Sequence, residues 1–203
     1  MGKRVYIVPE WMRGEPVPEG RTPLYLNPGL TFGTGAHATT QLCLELLEEV
    51  VKPGDSALDL GCGSGILAIA ALSLGAERAI GVDIDPKAAE VAYENAALNG
   101  VGGDRLTVLA GDVLADRALS VRLGRGQNNI VLANIVADVI IPLSSKAGEF
   151  MTEDGVFLCS GIIDARQDEV HAALKANGFT VIKRLERDGW CAFEARKSGL
   201  QKG

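Results

Sequence analysis

The chain has 203 residues, 47% of them apolar, and its 26 acidic against 20 basic side chains give a net charge of −6. That length and apolar content suit one globular domain whose core needs no staples, while the acidic balance argues against direct nucleic-acid binding, which requires a basic surface. Four dispersed cysteines (Cys43, Cys62, Cys159, Cys191) form no C-x-x-C pair and have no histidine cluster nearby, and no apolar run approaches the ~20 residues of a membrane helix, so free thiols, no metal, no membrane and a cytoplasmic location are expected.

Residues 1–30 are rich in Pro and Gly and short on periodicity, and read as a linker or arm rather than as core. Within them residues 3–8 suit a short strand that Pro9 would end, because proline removes a ladder donor; a loosely ordered arm is the alternative. The stretch N-P-G-L-T-F-G-T-G-A-H-A-T-T from Asn27 to Thr40 is dense in glycine and hydroxyls and reads as a lid over a ligand, running into a helix. Thr39 or Thr40 is the natural N-cap of that helix, and Leu42, Cys43, Leu46, Leu47 and Val50 share one of its faces. Lys52-Pro53-Gly54 ends it.

From residue 57 onward strand and helix signals alternate. Strands are expected over 57–60, 79–84, 106–109 and 130–133, and helices over 66–74 and 86–99, the second with Asp85 as N-cap and Pro86 in its first turn. A longer connection, 113–129, is polar in its second half. A helix over 138–150 and a strand over 155–160 follow, and Asp164-Ala165-Arg166-Gln167 has the form of a capping box opening a helix that ends at Asn177-Gly178. Strands over 179–185 and 190–195 flank the hairpin-type turn Asp188-Gly189. The pattern implies an α/β domain over 31–197, with a mostly parallel sheet covered by helices on both faces, and a frayed tail over 198–203.

In open α/β sheets, ligands bind beyond the carboxyl ends of the strands. Those ends carry Gly61, Gly63 and Gly65 after the first strand, Asp83 and Asp85 after the second, Gly111-Asp112 after the third and Asn134 after the fourth. A glycine turn opening a helix admits a polar ligand close to backbone N–H groups. Asp83 stands 22 residues past Gly61, about where an acid reaches ribose hydroxyls in dinucleotide folds. With Asp85 and Pro86 serving as cap, its carboxylate is expected to be free for a ligand. The G-x-G-x-G spacing departs from the dinucleotide G-x-G-x-x-G and lowers the case for NAD. Asp112 reads equally well as a ligand residue or as a loop starter.

D-L-G-C-G-S-G (59–65) followed by G-V-D-I-D-P (81–86) resembles the cofactor site of class I S-adenosylmethionine-dependent methyltransferases. P-G-L-T-F-G-T-G-A-H-A-T-T (28–40), A-N-I (133–135), S-G-I (160–162) and Trp190 narrow the resemblance to PrmA, the methyltransferase family of large-subunit ribosomal protein L-eleven. The resemblance implies a Rossmann-like class I methyltransferase fold, a seven-stranded mostly parallel sheet with one antiparallel strand. S-adenosyl-L-methionine is the implied cofactor, lined by Phe32, Thr40, Gly61, Gly63, Gly65, Asp83, Ile84, Asp112 and Asn134. Asn134 lies where methyl donor and acceptor meet, and with His37 it forms the candidate catalytic pair, His37 serving as base or as part of the loop. The implied partner is a ribosomal protein methylated on lysine or N-terminal amines, the chain acting as a monomer. In the family an N-terminal recognition domain precedes the linker, so this chain is expected to be the catalytic domain without it. Two other readings are a stand-alone methyltransferase for a small molecule or another protein, and a cofactor-binding module without catalysis.

Overall fold

The computed structural model describes residues 3–27 and 37–199. Near its start, β1 (Val5–Pro9) and β2 (Thr22–Leu26) pair in parallel as a small separate sheet. Pro9 ends β1, as its missing donor dictates, and a 3-10 turn over Glu10–Met12 follows. Read as a lead-in outside the core, this segment in fact contributes Val5, Leu24 and Leu26 to it.

Helix α1 (Ala38–Val50) buries Leu42, Cys43, Leu46 and Leu47 as expected, but its N-cap is neither threonine. His37 takes that position, its Nδ1 accepting the Thr39 N–H at 3.3 Å, while Thr39 and Thr40 lie buried inside the helix. Strand β3 (Ser56–Leu60) is buried at every position, and α2 (Ile66–Ser73) at every residue as far as Leu72. A helix that is apolar all round needs cover on all sides. The main sheet covers one side of α2, and α1 and β2 lie against others, which is why the N-terminal segment belongs to the core.

An isolated two-stranded sheet is marginal in water, and here side chains complete its edges. Glu48 of α1 accepts the Val5 N–H at 2.8 Å and the Lys3 N–H at 2.6 Å. On the other edge Asn99, which follows α3 (Lys87–Leu98), accepts the Tyr25 N–H at 2.8 Å and donates to the Tyr25 carbonyl at 2.7 Å.

Strands β4 (Arg78–Asp83), β5 (Leu106–Ala110), β6 (Asn128–Asn134) and β7 (Met151–Ile163) run parallel to β3, and the hairpin of β8 (Phe179–Arg187) and β9 (Trp190–Lys197) completes the order β5-β4-β3-β6-β7-β9-β8. Strand β9 is antiparallel to both β7 and β8, so it is the one antiparallel strand of seven. Asp188 (φ 51) and Gly189 (φ 78) form the turn, with the paired positive φ of a tight hairpin. Strand β3 pairs with β4 on one side and β6 on the other. The order reverses there, and the carboxyl ends of these strands frame a crevice.

Two local expectations fail. The 113–129 connection contains a short helix, α4 (Arg117–Arg122), capped by Asp116, whose carboxylate accepts from Ala118 at 2.8 Å and Leu119 at 3.0 Å; at six residues it is too short for periodicity to show. Helix α5 (Ala137–Phe150) forms as expected, but the capping box after β7 does not. Asp164–Arg166 is a 3-10 turn, and α6 (Gln167–Ala176) begins without a side-chain cap, with Arg166 in the N-cap position paired to Asp138 of α5 and to Glu169. Among the described residues no helix is long and apolar enough to cross a membrane.

Candidate active site

The crevice is built first by the turn after β3. Gly61 and Cys62 both donate to the Val82 carbonyl, at 2.8 and 3.0 Å, and the Gly65 N–H donates to the Cys62 carbonyl at 2.8 Å. Gly65 has φ 75, and a Cβ there would stand 2.9 Å from the Ala92 Cβ on α3. A Cβ on Gly61 would meet Ile135 Cγ2 at 2.6 Å. Both glycines therefore serve tight packing as well as the turn itself.

Because Gly65 must lack a side chain, it cannot cap α2. Asp59, in β3 and only 1% exposed, does so instead, its Oδ2 accepting the Ala68 N–H at 3.2 Å. Its Oδ1 is buried with no hydrogen-bond partner among the described residues. Burial raises its pKa to about 7; the Ala68 N–H pulls the other way, and the nearby Asp83 carboxylate adds to the rise. Asp59 opens the D-L-G-C-G-S-G motif but is not among the site residues expected from the sequence. The signal available was an acid inside an otherwise apolar strand, preceding a helix whose own cap position is glycine.

Asp83 stands at the end of β4, beside the turn. Contrary to the expectation of a free carboxylate, each oxygen already accepts one backbone N–H, Oδ2 from Gly63 at 2.8 Å and Oδ1 from Asp85 at 2.9 Å. These bonds fix its orientation and leave a second lone pair on each oxygen. Next to it Ile84 is 74% exposed, an apolar side chain with its face to solvent. Asp85 accepts the Lys87 N–H at 3.0 Å, performing the capping duty assigned to it although Pro86 holds the N-cap position. Asp112, two residues past β5, accepts the Leu114 N–H on its Oδ1 at 2.8 Å in an Asx turn, so it starts the loop whether or not it also meets a ligand.

Across the crevice, Asn134 ends β6. Its Nδ2 donates to Thr40 Oγ1 at 3.2 Å, bringing together two residues singled out from the sequence. The following residue, Ile135, is wedged between two glycines. Gly61 lies under its side chain, and Gly161 (φ 89), at the irregularity where β7 shifts register against β9, leaves no room for a Cβ beside the Ile135 carbonyl. The Ile135 N–H donates to the Ser160 carbonyl at 3.1 Å. His37 lies at the root of α1 with its ring edge-on to Trp190, centroids 5.0 Å apart at 71°, and its Nδ1 2.8 Å from Thr39 Oγ1. Its contacts among the described residues are thus a cap and an edge-on ring contact. Phe32 and the rest of 28–36 lie outside the described residues.

The crevice therefore presents fixed carboxylate lone pairs at Asp83, an exposed aliphatic surface at Ile84 and an oriented side-chain amide at Asn134, and in β3 Asp59 keeps a buried oxygen without a partner among the described residues. His171 sits elsewhere, with Arg184 and Phe193 in a depression of about 420 Å³ between α6 and the closing hairpin.

Comparison with known proteins bears on this arrangement. The family model described as ribosomal protein L11 methyltransferase (PrmA) matches residues 1–198. Ribosomal protein L11 methyltransferase of Desulfitobacterium hafniense is 47% identical over 196 residues, covering 97% of this chain and 60% of that protein. The protein of the same name from Pelotomaculum thermopropionicum is 43% identical over 197 residues, covering 96% and 60%. This chain thus spans about 60% of the length of these curated relatives. A crystal structure of ribosomal protein L11 methylase from Lactobacillus delbrueckii subsp. bulgaricus superposes with a TM-score of 0.85 at 34% identity, covering 98% of this chain and 97% of that one. A SAM-dependent methyltransferase from Aquifex aeolicus, 14% identical with a TM-score of 0.61 over 75% of this chain and 88% of its own, shares the fold. The chain belongs to the ribosomal protein L11 methyltransferase (PrmA) family.

Proposed function

We propose that the protein transfers methyl groups to protein amines, lysine side chains or an N-terminal amine, with ribosomal protein L11 as the acceptor. The observation that carries this reading is the placement of Asn134, oriented by Thr40, beside the glycine turn in a chain of this family. The cofactor is S-adenosyl-L-methionine, and the residues present fit it. Asp83 has lone pairs left for ribose hydroxyls, Ile84 offers an apolar face to a base, and the Asp59 oxygen that lacks a partner among the described residues is an acceptor for a donor or cation of the aminoacyl tail. Gly61, Gly63 and Gly65 keep the turn low beneath the ligand, and Thr40 and Asp112 stand at its margins.

When bound, this cofactor supplies a methyl group already activated on a sulfonium. The chain's own residues need to position the acceptor and exclude water, which in well-oriented systems is worth on the order of 7 to 11 kcal/mol of barrier. An amine attacks only as the neutral base, and lysine's ordinary pKa is about 10.4. With its Nδ2 committed to Thr40, Asn134 turns its Oδ1 to accept one amine hydrogen, aligning the nitrogen lone pair. His37, capping α1 and edge-on to Trp190, serves as a structural element at the root of that helix. The acidic balance favours a basic protein partner over nucleic acid, and a cytoplasmic monomer goes with this reading.

Incubation with methyl-labelled cofactor and purified ribosomal protein L11 tests the proposal. Label on the protein's amines supports it. Label appearing only on another protein or a small molecule of a lysate would move the acceptor. Calorimetry showing no S-adenosylmethionine binding at millimolar ligand would end the reading.

A further inference from the structure

On its inner face α3 carries a polar residue in an otherwise apolar stripe. Ala88, Val91, Ala92 and Ala96 are buried, and among them Asn95 is 0% exposed. A buried amide is costly unless its groups are bonded. The Asn95 Nδ2 donates to the Ser64 carbonyl at 2.9 Å, and its Oδ1 accepts the Asn27 N–H at 2.9 Å. One side chain therefore joins the glycine turn to the end of the N-terminal segment.

The Ser64 carbonyl shares a peptide plane with the Gly65 N–H, which donates to Cys62. Asn95 holds one end of that plane and Cys62 the other, so the plane cannot flip without breaking both bonds. One turn earlier on the same helix, Ala92 lies against Gly65. Asn99, one turn later, is a natural control: it holds β2 through Tyr25 and bonds the Asn95 carbonyl, without touching the turn.

We infer that Asn95 is a positioning residue for the nucleoside site, setting the orientation of the Ser64–Gly65 peptide and tying it to the Asn27 N–H at the end of β2. The inference rests on the cofactor reading proposed above. It acts through backbone only.

The test measures S-adenosylhomocysteine binding by calorimetry and melting temperature for the wild type, Asn95→Ala, Asn95→Ser and Asn99→Ala. Asn95→Ala is expected to weaken binding about tenfold or more, whereas Asn99→Ala weakens it less than about threefold at a comparable loss of melting temperature. In turnover the Asn95 loss falls on KM for S-adenosylmethionine more than on kcat. Where Asn95→Ala fails to fold, Asn95→Ser, which keeps a short hydroxyl, carries the comparison. Wild-type affinity in a folded Asn95 variant overturns the inference, as does equal weakening in Asn99→Ala at matched stability. A wild type that binds no ligand at millimolar concentration overturns the underlying cofactor reading instead, and this inference with it.

Discussion

Asn134 and Thr40, 94 residues apart in the chain, meet through one hydrogen bond, Nδ2 donating to Oγ1 at 3.2 Å. The bond decides which end of the Asn134 amide faces the crevice. Thr40→Val preserves shape and removes the acceptor, so the amide is free to turn over. Its kcat should fall between about 10- and 100-fold, while Thr40→Ser stays within about threefold of wild type. Full kcat in Thr40→Val would show that Asn134 needs no such hold.

Asp59 makes stability depend on pH. Its folded pKa, raised by burial from 3.8 to about 7, lies above the unfolded value, so between those limits the folded state binds more protons than the unfolded one. Stability from this group is therefore greatest at low pH and falls as pH rises toward 7, levelling above it. Asp59→Asn removes the titration and keeps an oxygen for the Ala68 N–H. In urea melts the stability of Asp59→Asn relative to wild type should improve by about 2 kcal/mol between pH 5 and pH 8. A difference that does not change with pH would place the Asp59 pKa near its ordinary value.

Gly161 holds Asn134 in place indirectly, by leaving room for the Ile135 carbonyl. Gly161→Ala sets a methyl group against that carbonyl at φ 89, so the peptide after Asn134 has to move. The cost is expected at about 2 to 4 kcal/mol, with a loss of activity greater than stability alone explains. Gly178 has a similar φ of 80 but open space around it, so Gly178→Ala should cost only about 1 kcal/mol and leave turnover intact. Equal thermal shifts for the two variants would remove the steric argument.

The contrast between these glycines illustrates what a sequence can carry. Runs such as 57–60, apolar but for Asp59, and 66–72 are bounded by Gly and Pro, so the alternating strands and helices were legible, down to the Asp188-Gly189 hairpin. The placement of Asp83 and Asn134 at strand ends flanking the glycine turn was legible because strand ends in this fold class converge. What escaped depends on partners distant in sequence. Strand β2 contains Pro23 and lies in a Pro/Gly-rich stretch, and it is held by Asn99. Asp59 caps α2 only because Gly65 is unable to, and Asn95 joins Asn27 to Ser64. At the 164–167 capping box, the chain forms a 3-10 turn instead, and Arg166 meets Asp138, 28 residues away.

The N-terminal segment is held along its β1 edge by one carboxylate, with Asn99 holding its β2 edge. Glu48 is 9% exposed and accepts two backbone N–H groups of the first strand's edge, from Lys3 and Val5, with its oxygens 2.6 and 2.8 Å away. Arg4 returns the contact by donating to the Glu48 carbonyl at 2.9 Å. Glu48→Ala leaves the buried Val5 N–H without a partner, at a cost of about 1 to 3 kcal/mol, and adds the loss of a charge-assisted bond. Glu48→Gln keeps one acceptor oxygen and should lose about half as much. Because β1 and β2 cover α2 rather than the crevice, hydrogen exchange in Glu48→Ala should accelerate first at Val5 to Val8 and then along α2, with the amides of β6 and β7 unaffected until global unfolding. Cofactor affinity should change less than twofold. Exchange that accelerates uniformly across the sheet would mean instead that the small sheet is an integral part of one cooperative unit, and that the segment read from sequence as an arm is as central to folding as β3.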